Sequence, residues 1–155
     1  GQCVRYPEAV LPIQGRATRG SRSMKLDSSD SLIQMFTIDK DKTPDILVVT
    51  SGGHGKRTSS SEYKSLSGRN VKGYSVINKK ALEKNGLLVG ACPIYDGDSF
   101  LVLTSKGNVL RTNSTNIRET GRTTNGVRVV SLDQDNKVTR ISRIAEKEID
   151  DIEEG

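Results

Sequence analysis

Two short runs of consecutive apolar residues stand out in a chain that is otherwise rich in polar positions. They cover residues 46–49 (ILVV) and 100–103 (FLVL), and each is followed by a glycine-containing turn and a second strand-like stretch. Continuous apolar runs of this length are typical of strands that are buried on both faces. Residues 126–132 (GVRVVSL) instead place Arg128 between two valines, and this alternation predicts a half-exposed strand.

The pattern GRxxxG occurs three times, and we name residues 15–20, 68–73 and 121–126 the first, second and third box. Both intervals between the starting positions are 53 residues. The surrounding pattern repeats too, and each unit reads strand, glycine turn, strand, box, strand, turn, strand. Four strands in about 50 residues is the arrangement of a propeller-like blade. The sequence therefore predicts an all-β, propeller-like array of four-stranded blades.

The repeats divide the chain into four parts. We assign residues 1–45 to a first blade that is incomplete at its N-terminal side, 46–99 to a second, 100–144 to a third, and 145–155 to an acidic mobile tail. The first copy has no counterpart of the FLVLTSKG stretch, so we expect the chain to be the last part of a larger array. Three blades are fewer than the roughly four to eight of an ordinary ring.

Three stretches are expected to depart from regular strands. Residues 78–86 (NKKALEKNG) predict one short helical turn. Ser59 and Glu62 have capping-box spacing, which predicts another turn. Asp96 and Asp98 flank a glycine between two strand-like runs, and this pattern indicates a turn rather than a catalytic pair of carboxylates.

Other chemistry-bearing residues are few. Cys3 and Cys92 are too sparse for a disulfide framework or metal site, so we expect two free thiols, with Cys92 buried in a strand. His54 is the only histidine, and we expect it to be a loop residue. Because no nucleophile–base set is evident, the sequence predicts no catalytic residue, no cofactor and no metal.

Charge is distributed unevenly along the chain. The formal net charge is +5, but the last eleven residues hold six acids and one lysine, so residues 1–144 carry 23 bases and 13 acids. Such a basic body favours a polyanionic partner. The chain shows neither a membrane span nor a signal peptide, and we expect an intracellular protein.

The boxes combine flexible backbone with fixed positive charge. Glycine lets backbone N–H groups approach a phosphate, and arginine matches phosphate geometry with a charged fork. The alternative is that the glycines only form turns and the arginines only keep the surface soluble. Repetition at fixed blade positions favours a basic track along the DNA backbone. Its candidate residues are Arg5, Gln14, Arg16, Arg19, Arg22, Lys56, Arg57, Arg69, Lys72, Lys106, Arg111, Arg118, Arg122 and Arg128.

The chain resembles the C-terminal domain of the bacterial DNA gyrase A protein and its paralogue in topoisomerase IV. The resemblance rests on LVLTSKGNVLR, the three boxes, TGRTTNGVRVVSLD, and GKRTSSSEY followed by GRNVKG. It implies a β-pinwheel, a propeller-like disc whose neighbouring blades exchange strands and whose basic rim wraps duplex DNA. It also implies a cytoplasmic bacterial enzyme in which the rest of the gyrase A protein and the gyrase B protein, which carries the ATPase, are partners. The family places its DNA-cleaving tyrosine in the N-terminal region, so this fragment is expected to be non-catalytic.

The family's gyrase box reads Gln-Arg-Arg-Gly-Gly-Arg-Gly, and residues 14–20 (QGRATRG) match it best. They keep Gln14, Arg16, Arg19 and Gly20. The departures leave a gyrase and a topoisomerase IV parent both open, and the acidic tail favours gyrase. A protein-binding propeller and a propeller enzyme are two further hypotheses. The first would need an aromatic or apolar face, which six aromatic residues hardly provide, and the second a catalytic set.

Overall fold

The structure, a computed structural model, describes residues 1–145 and is built mainly from short antiparallel strands. The predicted mobile tail, apart from Ala145, lies outside the described residues. One helix, α1 (Lys79–Asn85), follows the fourth strand, and 3₁₀ turns cover Glu8–Val10, Ser60–Glu62 and Ser114–Asn116. The strands are β1 (Gln2–Cys3), β2 (Asp45–Thr50), β3 (His54–Ser59), β4 (Tyr74–Ser75), β5 (Leu88–Ile94), β6 (Ser99–Thr104), β7 (Val109–Asn113), β8 (Val127–Arg128) and β9 (Val138–Ile144).

Strand β2 is central in a four-stranded sheet of order β5-β2-β3-β8. Its residues alternate between two hydrophobic clusters. Leu47 and Val49 pack in one cluster with residues of β6, whereas Ile46 and Val48 pack in the other with residues next to α1. Because successive side chains of a strand point to opposite faces, a run of four apolar residues fills both. The prediction of a strand buried on both faces is therefore confirmed for β2.

Strand β6 is central in a three-stranded sheet of order β7-β6-β9. Phe100 and Val102 are fully buried, while the alternate residues Leu101 and Leu103 are only half-buried. The second apolar run therefore has one fully buried face, not two. The two sheets meet where Ile141 of β9 lies against Gly90 of β5: a Cβ built on that glycine would be 2.6 Å from the isoleucine side chain.

The strand that follows each of the last two boxes pairs with the preceding repeat. After the second box, β4 pairs with β1, and Tyr74 lies opposite Cys3. After the third box, β8 pairs with β3, and Val127 lies opposite Gly55. Both pairings are antiparallel. Neighbouring repeats are thus joined by strand exchange.

The all-β, propeller-like class predicted from the sequence is confirmed, but four strands do not complete every blade. Among residues 1–145 only the middle sheet has four strands, and it borrows β8 from the third repeat. The sheet of the third repeat has three strands, and the first repeat contributes only β1 to a two-stranded pair. The number of strands differs from four because the fourth strand of the middle sheet, β8, comes from the following repeat.

Several local predictions can be compared with the structure. Helix α1 is longer than the single turn predicted, and the side chain of Asn78 caps it by accepting a hydrogen bond from the Lys80 backbone N–H at 2.9 Å. Ser59 likewise caps the following 3₁₀ turn, as its spacing predicted. His54 was expected in a loop, but it is the first residue of β3. Both cysteines are free, and Cys92 is buried in β5 as expected.

Most of the first repeat has little regular structure. Between β1 and β2 the described chain contains one 3₁₀ turn and no strand, and residues 11–20 are exposed throughout. Phe36 and Ile38 anchor the stretch by packing against the cluster that contains Val48. The described helices are all too short and too polar to cross a membrane.

Candidate nucleic-acid interface

The predicted interface residues fall into groups of different exposure. Arg5, Arg57, Arg69 and Arg122 are half-buried, and Lys56 is buried. The remaining candidates are all exposed or nearly so: Gln14, Arg16, Arg19, Arg22, Lys72, Lys106, Arg111, Arg118 and Arg128.

The first box forms a self-contained turn. The backbone N–H and the hydroxyl of Thr18 both donate to the Gly15 carbonyl, at 3.2 and 2.9 Å. The same hydroxyl lies 3.1 Å from the Gln14 Oε1. Arg16 and Arg19 project from this turn, and neither has a hydrogen bond or ion pair with any residue of the described chain. Their guanidinium groups are free to bind a ligand.

The third box has the same turn but is docked against the second repeat. Thr124 donates to the Gly121 carbonyl through its N–H at 3.2 Å and its hydroxyl at 2.9 Å. The Glu62 carboxylate accepts from the Arg122 N–H at 2.8 Å. Glu62 therefore holds the box across the interface, in place of the capping-box contact suggested by its spacing from Ser59.

Lys56 anchors the third box from below. Its side chain is 0% exposed, and its Nζ donates to the carbonyls of Gly121, at 2.8 Å, and of Arg122. Burial lowers the pKa of this ammonium from 10.5 to about 8, although the nearby Glu62 acts in the opposite direction. The sequence predicts a DNA contact for Lys56, whereas the structure places its side chain beneath the box and away from solvent.

The box arginines of the second and third repeats reach back to the preceding repeat. Arg122 Nη1 donates to the Ser75 carbonyl at 3.2 Å, and Arg69 Nη1 donates to the Arg22 carbonyl at 2.9 Å. Donors and acceptors are both 53 positions apart, so the two contacts are equivalent. Arg122 also lies over the Tyr74 ring, 5.1 Å from its centroid. Arg69 and Arg122 thus each join their box to the preceding repeat, and their contact with DNA remains a prediction.

Two further predicted arginines are held by the protein itself. Arg5 Nη1 donates to the Ser60 carbonyl at 2.9 Å and to the Tyr63 carbonyl at 3.3 Å. The Arg57 side chain is 15% exposed and lies 3.1 Å from the Asp45 carboxylate. These contacts hold both guanidinium groups against the protein, and the DNA contacts of Arg5 and Arg57 remain predictions.

Two exposed lysines have partial partners. Lys72 forms an ion pair with Asp27 at 2.9 Å, and this carboxylate raises the pKa of the lysine through a hydrogen bond. Lys106 donates to the Gln134 carbonyl at 2.7 Å. Because the Lys72 pair is exposed, a phosphate can compete for the ammonium. Both lysines remain candidates.

The sequence prediction missed a basic cleft between α1 and the third box. It has a volume of about 300 Å³ and is lined by His54, Lys80, Ala81, Lys84, Asn85, Asn125 and Gly126. Lys80 and Lys84 are four residues apart, so they share one helix face. Arg128 lies opposite His54 in the β3–β8 pair, which places its side chain on the cleft side of the sheet.

The cleft contains several groups that can donate hydrogen bonds to an anion. Two lysines, one histidine and two amides line it, together with the backbone of the box, and no carboxylate is among its lining residues in the described chain. The lysines could have been noticed from their i, i+4 spacing. The contribution of His54 and Asn125 could not, because it depends on the exchange of β8 between repeats.

Comparison with known proteins decides the family. The DNA gyrase C-terminal domain family, described as a beta-propeller, matches residues 1–39, 44–91 and 98–145. The chain belongs to this family. Each of its three matched segments contains one box.

Two curated relatives illustrate the relationship. The DNA gyrase A protein of Mycobacterium leprae is 36% identical over 155 residues, which cover 98% of this chain and 12% of the relative. The corresponding protein of Escherichia coli K12 is 36% identical over 146 residues, covering 94% of this chain and 16% of the relative. The chain thus spans only a small part of the length of these proteins.

Solved structures show the same fold. The gyrase A C-terminal domain superposes with a TM-score of 0.77 at 27% identity, and the match covers 87% of this chain and 44% of that one. The topoisomerase IV C-terminal domain gives a TM-score of 0.83 at 22% identity and covers 99% of this chain and 48% of that one. The matched region is therefore less than half of each solved chain.

Proposed function

We propose that the chain binds duplex DNA through its exposed basic side chains and bends it around the rim of the array. The observation that carries this proposal is the cleft beside the third box, which Lys80 and Lys84 line without a carboxylate among the described lining residues. Arg19 in the first box adds a free guanidinium on another exposed turn. Membership in the gyrase C-terminal domain family supports DNA as the polyanion.

The contacts in this proposal are to phosphates rather than to base edges. Sequence is usually read by a helix or strand pair placed in the major groove. The described chain contains one α-helix, α1, which has seven residues and packs onto the protein through Ala81. Binding should therefore show little sequence preference, and any preference should follow the deformability of the DNA.

The role of the parent protein is part of the same proposal. The domain would serve a type IIA topoisomerase of the bacterial cytoplasm, most simply a DNA gyrase, by presenting wrapped DNA for ATP-dependent supercoiling. The remainder of the gyrase A protein and the gyrase B protein with its ATPase would be its partners. The fragment itself would position DNA and perform no reaction.

A salt series with a linear duplex tests the proposal. If about five to eight phosphates are contacted, the logarithm of the association constant should fall with the logarithm of the salt concentration with a slope of about −4 to −7. A flat salt response, or tighter binding to a protein ligand than to DNA, would overturn it.

The cleft can be tested by a pair of lysine substitutions. Lys80→Ala with Lys84→Ala should weaken DNA binding by about 1 kcal/mol for each lysine and reduce the salt slope by about two. Alanine favours helix, so the fold should persist. The matched control is Lys40→Ala with Lys42→Ala, which removes the same charge from an exposed loop elsewhere. Equal losses in both double variants would mean that net charge, and not the cleft, determines binding.

Bending requires a separate measurement. Nicked circular DNA can be ligated in the presence of the chain and its linking number then determined. A shift in the linking-number distribution that grows with protein concentration supports wrapping. An unchanged distribution under conditions of saturated binding would limit the function to DNA attachment.

A further inference from the structure

The sequence contains two asparagines that are followed directly by glycine, Asn85 and Asn125, and both line the basic cleft. An asparagine of this kind can lose its side-chain amide, because the backbone nitrogen of the next residue can attack the amide carbon. Glycine has no Cβ to hinder that approach. The loss creates a carboxylate, and the cleft has none among its described lining residues.

The backbone around Asn85 is held on several sides. Asn85 is the last residue of α1, and its carbonyl accepts a hydrogen bond from the Gly52 N–H at 2.8 Å. Gly86 is packed closely, since a Cβ built on it would overlap the Ser51 Oγ and would lie 3.3 Å from the Gly52 backbone nitrogen. Attack on the Asn85 amide requires this backbone to rotate, so these contacts oppose the reaction.

Asn125 is less restrained. It is exposed, belongs to no helix or strand, and its side-chain amide makes no hydrogen bond within the described chain. The Cα of Gly126 lies against Gly55, but the Gly126 N–H, which is the attacking group, donates to no residue of the described chain. The attacking nitrogen and the amide that it attacks are therefore both available at this position.

The charge of the cleft also favours reaction at Asn125. The attacking nitrogen becomes negative when it loses its proton, and the amide oxygen becomes negative in the tetrahedral intermediate. Lys80 and Lys84 lie on the opposite wall of the cleft. Positive charge close to a developing anion lowers the barrier to its formation. Asn85 lines the same cleft, so backbone restraint is the main difference between the two asparagines.

We propose that Asn125 is a deamidation site and that its conversion weakens the binding of DNA in the cleft; the second part rests on the proposed function. The Gly126 nitrogen bonds to the Asn125 side-chain carbonyl carbon, and the bond from that carbon to Nδ2 breaks. The proton of the attacking nitrogen is transferred through solvent to the leaving group, so ammonia departs and a cyclic imide remains. Water adds to one imide carbonyl carbon and the ring C–N bond breaks, which gives aspartate or isoaspartate.

The product changes how the cleft interacts with a phosphate. A neutral amide, which can donate a hydrogen bond, is replaced by a carboxylate, which only accepts and is negatively charged. Lys80 and Lys84 have no ion-pair partner in the described chain, so the new carboxylate competes with DNA for them. The deamidated chain should bind linear duplex DNA about three- to fivefold more weakly at low salt. The magnitude of its salt slope should fall by about one.

Peptide mass mapping of the aged 155-residue chain tests the modification without DNA. Samples are aged at mildly acidic and at mildly alkaline pH. Asn125 should show the mass increase of amide-to-acid conversion, faster at alkaline pH because the attacking nitrogen must lose a proton. Its rate should be at least about tenfold higher than that of Asn85, which corresponds to about 1.4 kcal/mol of backbone restraint. No conversion at Asn125, or conversion of Asn85 at an equal rate, would overturn the proposal.

DNA binding by matched variants tests the consequence. Asn125→Gln keeps the amide but would have to form a larger ring, so the aged variant should retain the affinity of the fresh chain. The described non-glycine residues with a left-handed backbone are Asn70 and Asp135, so this substitution introduces no backbone strain. Asn125→Asp should reproduce the three- to fivefold loss without ageing, within the range of about fivefold expected for an exposed charge pair.

Deamidated wild-type chain is separated from intact chain by ion exchange, and the two are compared in the same DNA titration. Equal affinities would overturn the proposed effect on DNA. If the intact chain fails to bind DNA, the proposed function and the effect that rests on it fail together. Mass mapping would still decide whether Asn125 is the modified residue, so the two failures are distinguishable.

Discussion

The first and third boxes have the same motif and the same turn, yet their arginines have different environments. Arg16 projects into solvent from a box that contacts no other strand of the described chain. Arg122 lies over an aromatic ring and donates to the backbone of the preceding repeat, and its box rests on Lys56. The motif therefore encodes a turn, and within the described residues Arg122 differs from Arg16 because the third box is docked against a neighbouring repeat.

Removing the support beneath the third box should have the largest effect. Lys56→Met keeps most of the apolar stem but leaves the carbonyls of Gly121 and Arg122 without their donor, so we expect the free energy of unfolding to fall by about 2 kcal/mol. Urea denaturation measures this free energy. Leu110→Met, at the equivalent exposed position of β7, should change the value by less than about 0.5 kcal/mol. Similar losses in both variants would contradict the anchoring role.

The last glycine of each box offers a matched pair of substitutions. Gly126→Ala places a Cβ 2.7 Å from the Gly55 carbonyl oxygen in a backbone with φ of +79°, and we expect a loss of about 2.5 kcal/mol. Gly20→Ala adds a Cβ in open space. It should lower the free energy of unfolding only by the strain of the left-handed backbone, about 1 kcal/mol. Equal losses by denaturation would show that docking of the box adds nothing to its stability.

The lowered pKa of Lys56 predicts that this residue makes the free energy of unfolding depend on pH. Between pH about 8 and the unfolded value of 10.5, the folded chain has lost this proton and the unfolded chain retains it. The unfolded state then binds more protons, so stability from this group rises with pH. A neutral amine can still donate to both carbonyls.

The comparison of the wild type with Lys56→Met isolates this effect. The advantage of the wild type should grow by about 2 kcal/mol from pH 8 to 10, because a shift of one pKa unit corresponds to about 1.4 kcal/mol. The raised pKa values of Cys3 and Tyr63, which burial causes, act in both proteins and cancel. A constant difference across this range would mean that the ammonium keeps its ordinary pKa.

The arginines give the smallest difference in stability. Arg122→Ala removes one hydrogen bond and the contact with Tyr74, and should lower the free energy of unfolding of the monomer by about 1 kcal/mol. Arg16→Ala should leave it within about 0.5 kcal/mol. Denaturation curves of the two variants are compared under identical conditions. The reverse ranking would make Arg122 an ordinary surface residue.

The sequence predicted the repeated features well because they are local. The apolar run of β2, the box turns and the capping of the turn after Ser59 each depend on neighbours in the chain. The 53-residue spacing added the repeat architecture, and the similarity of the motifs added the family. Hydrophobic periodicity and turn-forming residues are sufficient to predict features of this kind.

Strand exchange explains why the surroundings of Lys56 and Arg57, and the cleft beside α1, were not predicted from the sequence. From the sequence alone, Lys56 and Arg57 look like an exposed basic pair, because nothing local indicates that the third box covers β3. The same exchange brings Asn125 beside α1 and completes the cleft. A contact such as that of Lys56 with Gly121 joins residues 65 positions apart and leaves no periodic signal. Neither the burial of Lys56 nor the cleft could therefore be predicted from patterns in the sequence.

The exchange of β4 and β8 also bears on cooperativity. A repeat array in which each unit folds by itself behaves as a linear chain of nearly independent domains with nearest-neighbour coupling. Here the sheet of one repeat is completed by residues that the next repeat supplies, so the folding units are out of phase with the sequence repeats. Unfolding of the third repeat withdraws a strand from the second. Local opening should therefore spread between neighbours rather than remain within one blade.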